Sequence, residues 1–270
     1  MPTRCTARAE AMTDLRVSLV QTDLRWQEAE HNRSLLAPQL RPLTGTTDLI
    51  VLPEMFTSAF AMGGAVAEEH PGPTLEWMQR MAEHTGAALT GSVASIEHGK
   101  RFNRLLFVKP DGTYSIYDKK HLFRMLGEDR RYAAGNRKII VEWRGWRILP
   151  LVCYDLRFPV WSRYTQAEPY DLLVYVANWP AARNHHWRAL LQARAIENLA
   201  YVAGVNRIGR DGNDLDYVGH SAVVDPQGIE VLQAGPVAGV YTTTLSHAAL
   251  TDWRAKFPAW MDADAFTLQE

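Results

Sequence analysis

Cysteine is scarce in this chain. Its 270 residues hold two, Cys5 and Cys153. Cys5 lies in a polar leading stretch, so a structural disulfide between them is not expected, and a reducing compartment such as the cytoplasm suits the chain. No run of about 18 apolar residues occurs, which argues against a transmembrane helix. Met1 to Ala11 lack the apolar core of a secretory signal, and Met12 stands just before the first strand-like run. Residues 1–13 are therefore expected to form a disordered leader and 14–270 a single domain. Charge of one sign is not in excess, with 29 Lys+Arg against 30 Asp+Glu. That balance gives no electrostatic reason to expect nucleic acid or a membrane surface as a partner. Internal repeats and low-complexity linkers are missing as well.

What is present is enough apolar material for a sizeable core, at 47% of the residues. Arg16–Gln21 alternates like a strand, and Asp48–Leu52 is a continuous apolar run that suits a strand covered on both faces. Residues 27–40 read as a helix with Leu35, Leu36 and Leu40 on one face. Thr74 is placed to cap a second helix that Gly86 ends. Two hairpins are marked by Pro110-Asp111-Gly112 and by Arg144-Gly145. Residues 157–167 have a weak helical pattern, Arg183–Leu199 a clear one, and Ser246 is placed to cap a short helix. Strands and helices alternate, with several hairpins among them. The pattern is that of one α/β domain, with a mixed sheet or two sheets covered by helices.

Several chemically capable residues stand where strands end: Glu54, Lys119, Cys153, Asn178 and Asn206. In layered α/β folds that edge is the usual ligand crevice. Each has an ordinary explanation alone. Free cysteine is often a small buried hydrophobe, a strand-end carboxylate often pairs on the surface, and lysine is usually exposed. Together they make a chemically complete set for acyl transfer. A thiol needs a base to become a nucleophile, a carboxylate can be that base, and an ammonium can hold the oxyanion.

Three segments carry a resemblance. Leu52-Pro53-Glu54-Met55-Phe56, Lys119-Lys120-His121-Leu122-Phe123 and Val152-Cys153-Tyr154-Asp155-Leu156-Arg157-Phe158-Pro159 resemble, in order, the three signature blocks of the nitrilase superfamily of carbon–nitrogen hydrolases. The likeness extends over roughly residues 14 to 245. It implies a four-layer αββα sandwich and a homodimer, joined through helices near the nucleophile, or a higher homo-oligomer. It implies Glu54 as general base, Lys119 as oxyanion-stabilising cation and Cys153 as nucleophile. It also implies a second glutamate in the loop after the lysine block, for which Glu128 is the best match. No metal and no organic cofactor is implied. His121 reads as a hydrogen-bonding support rather than a catalyst. Adjacent His185 and His186 would point about 100° apart on a helix, a poor arrangement for one ion.

Within the superfamily, Asn178-Trp179-Pro180, Ala193-Arg194-Ala195-Ile196-Glu197-Asn198 and Gly204-Val205-Asn206-Arg207 look most like the ω-amidase branch. The resemblance implies small dicarboxylate monoamides, such as 2-oxoglutaramate and 2-oxosuccinamate, as substrates. A guanidinium can grip such a carboxylate with two hydrogen bonds, and Arg157, Arg183 and Arg207 are the candidates. Tyr154 should lend its backbone N–H to the oxyanion, Trp179 should wall the pocket, and Asn178 should touch substrate. The alternatives are a nitrilase or N-carbamoyl hydrolase of the same family, or a non-catalytic binding protein on the same fold.

Overall fold

The computed structural model describes residues 13–63 and 66–268. The expected leader, apart from Thr13, and Cys5 with it, lie outside those residues. Thr13 is tied down, because its carbonyl accepts the indole N–H of Trp146 at 2.8 Å.

The first sheet contains β1 (Leu15–Gln21), β2 (Leu49–Val51), β3 (Glu68–Glu69), β4 (Ala88–Glu97), β5 (Lys100–Val108) and β6 (Tyr114–Asp118). The second contains β7 (Val141–Trp143), β8 (Trp146–Val152), β9 (Leu172–Ala177), β10 (Tyr201–Asn206), β13 (Ala222–Val224) and β14 (Glu230–Gln233). A two-stranded ribbon, β11 (Ile208–Arg210) with β12 (Asp216–Val218), branches off after β10. The last strand, β15 (Gly239–Leu245), returns to the first sheet and pairs antiparallel with β1. The orders are β15-β1-β2-β4-β5-β6, with β3 on β4, and β14-β13-β10-β9-β8-β7.

The period of two along the strands explains the layers. In β1, Leu15, Val17 and Leu19 face the second sheet, and Val20 faces the other way. In β5, Leu105 and Phe107 point between the sheets, while Leu106 and Val108 point outward. The outward set is covered by α1 (Ala29–Leu40) and α2 (Pro73–Thr85), which contribute Leu36, Leu40, Leu75, Met78 and Met81. The second sheet is covered by α4 (Asn184–Asn198) through Trp187, Leu191 and Ala195. The short helix α3 (Pro159–Ser162) and the helix α5 (His247–Lys256) complete the elements. This is the expected αββα sandwich. In β8 and β9 every apolar residue joins the core, as strands covered on both faces should.

Three local expectations are corrected. Leu35 is 36% exposed, and Asn32 takes the inward place, hydrogen-bonding the chain at Arg25 and Thr57. Gly72, not Thr74, occupies the cap of α2, with Pro73 opening the helix, and the Thr74 hydroxyl donates to Glu68 instead. Only Pro159–Ser162 of the 157–167 segment is α-helical; the preceding Cys153–Arg157 is a tighter 3-10 turn. The Gly86 stop and the Ser246 cap stand as expected, with Gly86 at φ 69° and Ser246 accepting Ala249 N–H.

The close fit of α4 to β10 depends on Gly204. A Cβ there would lie 2.7 Å and 2.8 Å from the Leu191 methyl groups and 2.8 Å from the Trp187 ring. Gly204→Ala should therefore cost about 1–3 kcal/mol by overpacking, read as a lower urea midpoint at constant slope.

Candidate active site

Strand register brings the reactive residues to one edge. Val152 of β8 lies opposite Val176 of β9, and Ala177 lies opposite Asn206 of β10. Cys153 and Asn178 therefore leave the second sheet side by side. In the first sheet Arg104 lies opposite Asp118 and clasps it with two hydrogen bonds, at 2.8 and 2.9 Å. The next pair is Asn103 and Lys119, joined by Lys119 N–H to the Asn103 carbonyl at 3.0 Å. Glu54 follows β2 by three residues, and its backbone carbonyl accepts the Asn178 side-chain amide at 2.5 Å.

Cys153 sits at φ 42°, a left-handed conformation costly for a residue with a side chain. Asp155 holds the turn. Its carboxylate accepts Val152 N–H at 3.0 Å, the Tyr117 hydroxyl at 2.7 Å and His121 N–H at 3.0 Å. The His121 ring nitrogen Nδ1 also lies 2.8 Å from that carboxylate, and the ring stacks on Phe158. His121 is thus a support for the turn, as expected.

Behind the thiol lies a fully buried charge cluster. The Lys119 ammonium donates to Glu54 Oε1 at 2.8 Å and to Glu128 Oε2 and Oε1 at 2.9 and 3.1 Å. The Asn103 amide nitrogen donates to Glu54 Oε1 at 2.8 Å and to Glu128 Oε1 at 2.9 Å. Glu54 Oε2 accepts Asn178 N–H at 3.0 Å, and Glu128 Oε2 accepts Phe123 N–H at 2.6 Å. Ser92 fixes the Asn103 amide from behind, donating to Oδ1 at 2.8 Å while accepting Met55 N–H at 2.9 Å. Asn103 was missed in the sequence. An asparagine in mid-strand gives no signal until its cross-strand partner is known.

The electrostatics follow from burial. Burial works against the Lys119 ammonium, but Glu128 and Glu54 outweigh it, and its pKa is pushed up. Burial raises Glu128 against the pull of Lys119. Burial, then the Glu54 carboxylate, push the Cys153 thiol well up, with Lys119 opposing. The thiol makes a long contact, 3.9 Å, to the Asn178 carbonyl. At neutral pH the resting group is therefore the protonated thiol.

A narrow pocket opens over Cys153 and Lys119. Tyr154, Arg157, Asn178, Trp179 and Arg183 line it, and of the three candidate arginines only Arg207 is missing. Phe60, Phe123 and Tyr217 add apolar walls. Glu54 and Glu128 are 0% exposed and sit behind Lys119 rather than on the surface of the pocket. Trp179 is both wall and core, fixed by Asn206, which accepts its N–H at 2.7 Å. Arg207 is not available to a ligand. It is fully buried, and its guanidinium is spent on Asp23 at 2.8 Å, the Leu24 carbonyl at 2.9 Å and its stack over Tyr217.

The family model for carbon–nitrogen hydrolases matches residues 16–255. The omega-amidase YafV of Escherichia coli is 52% identical over 259 residues, covering 95% of this chain and 100% of that protein. A 2-oxoglutaramate amidase of Bacillus subtilis is 28% identical, covering 91% and 96%. The crystal structure of XC1258 from Xanthomonas campestris, a CN-hydrolase superfamily protein with an arsenic adduct in its active site, superposes with a TM-score of 0.93 at 50% identity, covering 96% and 100%.

The raised thiol pKa has a direct consequence. Fewer thiolates form at neutral pH, so iodoacetamide should label Cys153 more slowly than free cysteine at pH 7, with labelling climbing only above the free-cysteine range near 8.5. Glu54→Gln removes the like charge and should shift that profile to lower pH, followed by mass spectrometry. An unmoved profile would show that Glu54 does not act on the thiol.

Proposed function

The chain belongs to the carbon–nitrogen hydrolase family, and from that premise we propose that it is an amidase for small amides bearing a free carboxylate, of the 2-oxoglutaramate or 2-oxosuccinamate type. The observation that carries the substrate reading is the pair of guanidiniums, Arg157 and Arg183, lining the pocket above the thiol. Arg157 lies 4.9 Å over the Trp179 ring and Arg183 lies 5.5 Å over the Phe123 ring. No carboxylate among the described residues pairs with either. Two positive groups beside apolar walls suit a short chain with an anionic end.

The reaction follows from the placement of the side chains. Glu54 takes the Cys153 proton and the thiolate attacks the amide carbon. Lys119 and the Tyr154 backbone N–H hold the oxyanion, each donor contributing about 3–4 kcal/mol in comparable sites. Glu54 returns the proton to the departing ammonia. Water, deprotonated by the same carboxylate, then cleaves the thioester and restores the thiol. Glu128 and Asn103 hold Lys119 and Glu54 in register throughout. Each step uses only groups of this chain, substrate and water.

A working thiol suits the reducing cytoplasm, and among the described residues no helix is long and apolar enough to cross a membrane. We also place the enzyme as a homodimer joined through the helices near the nucleophile. Light scattering should then give about twice the chain mass, and a monomeric mass would remove that part of the reading.

The decisive assay is ammonia release from 2-oxoglutaramate, simple nitriles and N-carbamoyl amino acids. The 2-oxo amide should be turned over best. Cys153→Ala should abolish turnover and Glu54→Gln should lower kcat by at least about 10³-fold, the loss expected when one member of a unit is removed. Full activity in Cys153→Ala would defeat the mechanism. Cleavage of the nitrile alone would defeat the substrate assignment.

A further inference from the structure

Arg157 and Arg183 are not held alike. Arg157 donates from Nη2 to Nδ1 of His186 at 2.8 Å, and the same guanidinium lies over the Trp179 ring and lines the pocket. A guanidinium cannot accept a hydrogen bond, so Nδ1 must be the acceptor, and His186 is the neutral tautomer protonated on Nε2. Desolvation, then the neighbouring His185 and Arg157, hold its pKa below the ordinary value, in keeping with that state.

Both surfaces that touch Arg157 are anchored. His186 stands on α4 next to Trp187, which is 0% exposed and donates its indole N–H to the His220 carbonyl at 2.9 Å. Trp179 is pinned by Asn206 and also donates its indole N–H to the Arg183 carbonyl at 2.8 Å. An arginine side chain has several rotatable bonds, and ordering it only when ligand arrives costs affinity. A guanidinium already fixed between an aromatic face and an acceptor avoids that cost.

We propose that His186 is a positioning residue for substrate selection, holding the Arg157 guanidinium against Trp179 so that its remaining N–H groups meet the substrate carboxylate. The inference rests on the carboxylate-bearing amide reading above. His186 touches neither substrate nor the reacting atoms. It sharpens binding of the anionic end and leaves the acyl-transfer step to Glu54, Lys119 and Cys153. The sequence offers His186 only as half of a histidine pair; its use emerges from the turn that carries Arg157.

The test compares kcat and KM on 2-oxoglutaramate and on butyramide, which lacks the carboxylate. His186→Ala should raise KM for 2-oxoglutaramate about tenfold while kcat and the butyramide KM stay within about twofold, the pattern of lost ground-state binding. His186→Asn, which keeps an acceptor near the Nδ1 position, should recover most of that loss. In an Arg157→Ala background, His186→Ala should add nothing. If the wild type failed to favour 2-oxoglutaramate over butyramide, the substrate reading would fall and this inference with it. If the preference held but His186→Ala left KM unmoved, lowered kcat on both amides equally, or kept its effect without Arg157, the positioning role alone would be overturned.

Discussion

The structure turns on the burial of one ammonium between two carboxylates. Lys119 is shut away from water, where an isolated charge would be prohibitively costly, and Glu54 and Glu128 are its compensation. Two carboxylates around one cation leave an imbalance, and the Asn103 amide meets it with a hydrogen bond to each. Removing any partner strands the others without water to replace it. The cluster therefore fixes its members rigidly, as electrostatic stabilisation of an oxyanion requires. Burial and the Glu54 carboxylate raise the thiol pKa, so the resting nucleophile is protonated.

That cluster also ties the two halves of the sandwich together. Glu54, Asn103 and Lys119 come from the first sheet and its hairpin, Cys153 and Asn178 from the ends of β8 and β9. The bonds from Asn178 to Glu54, through main-chain N–H and side-chain amide, are the junction between sheets at the site. Asp155 performs the corresponding task on the other side, joining the turn at Cys153 to Tyr117 and His121. The positive φ of Cys153 persists because the bonds around Asp155 over-determine it. Chemistry and stability are thus shared by the same hydrogen bonds, so a loss of activity in a variant of this cluster needs a stability measurement beside it.

The pocket wall combines two kinds of group. Lys119 and Cys153 belong to the charge cluster and the turn. Arg157, Arg183, Trp179 and Phe123 supply positive charge and aromatic faces. Each arginine lies over an aromatic ring, and stacking orients a guanidinium without neutralising it. A carboxylate at that place would have closed the pocket to an anionic substrate.

The sequence by itself determined the elements and the reactive set. Alternation located the strands, and the three blocks around Glu54, Lys119 and Cys153 identified the residues that the fold brings together. These signals are local: a strand repeats every two residues, and a motif is contiguous. Only the tertiary structure decided which residues serve those three. Asn103 became part of the site because β5 and β6 pair in one register, which no pattern within β5 reveals. Arg207 left the list of ligand-binding candidates because a loop 184 residues away supplies Asp23 to it. Arg157 and Arg183 remained because no carboxylate among the described residues reaches them. Whether a polar side chain is spent or free depends on its partners across the fold, and those are set by long-range packing.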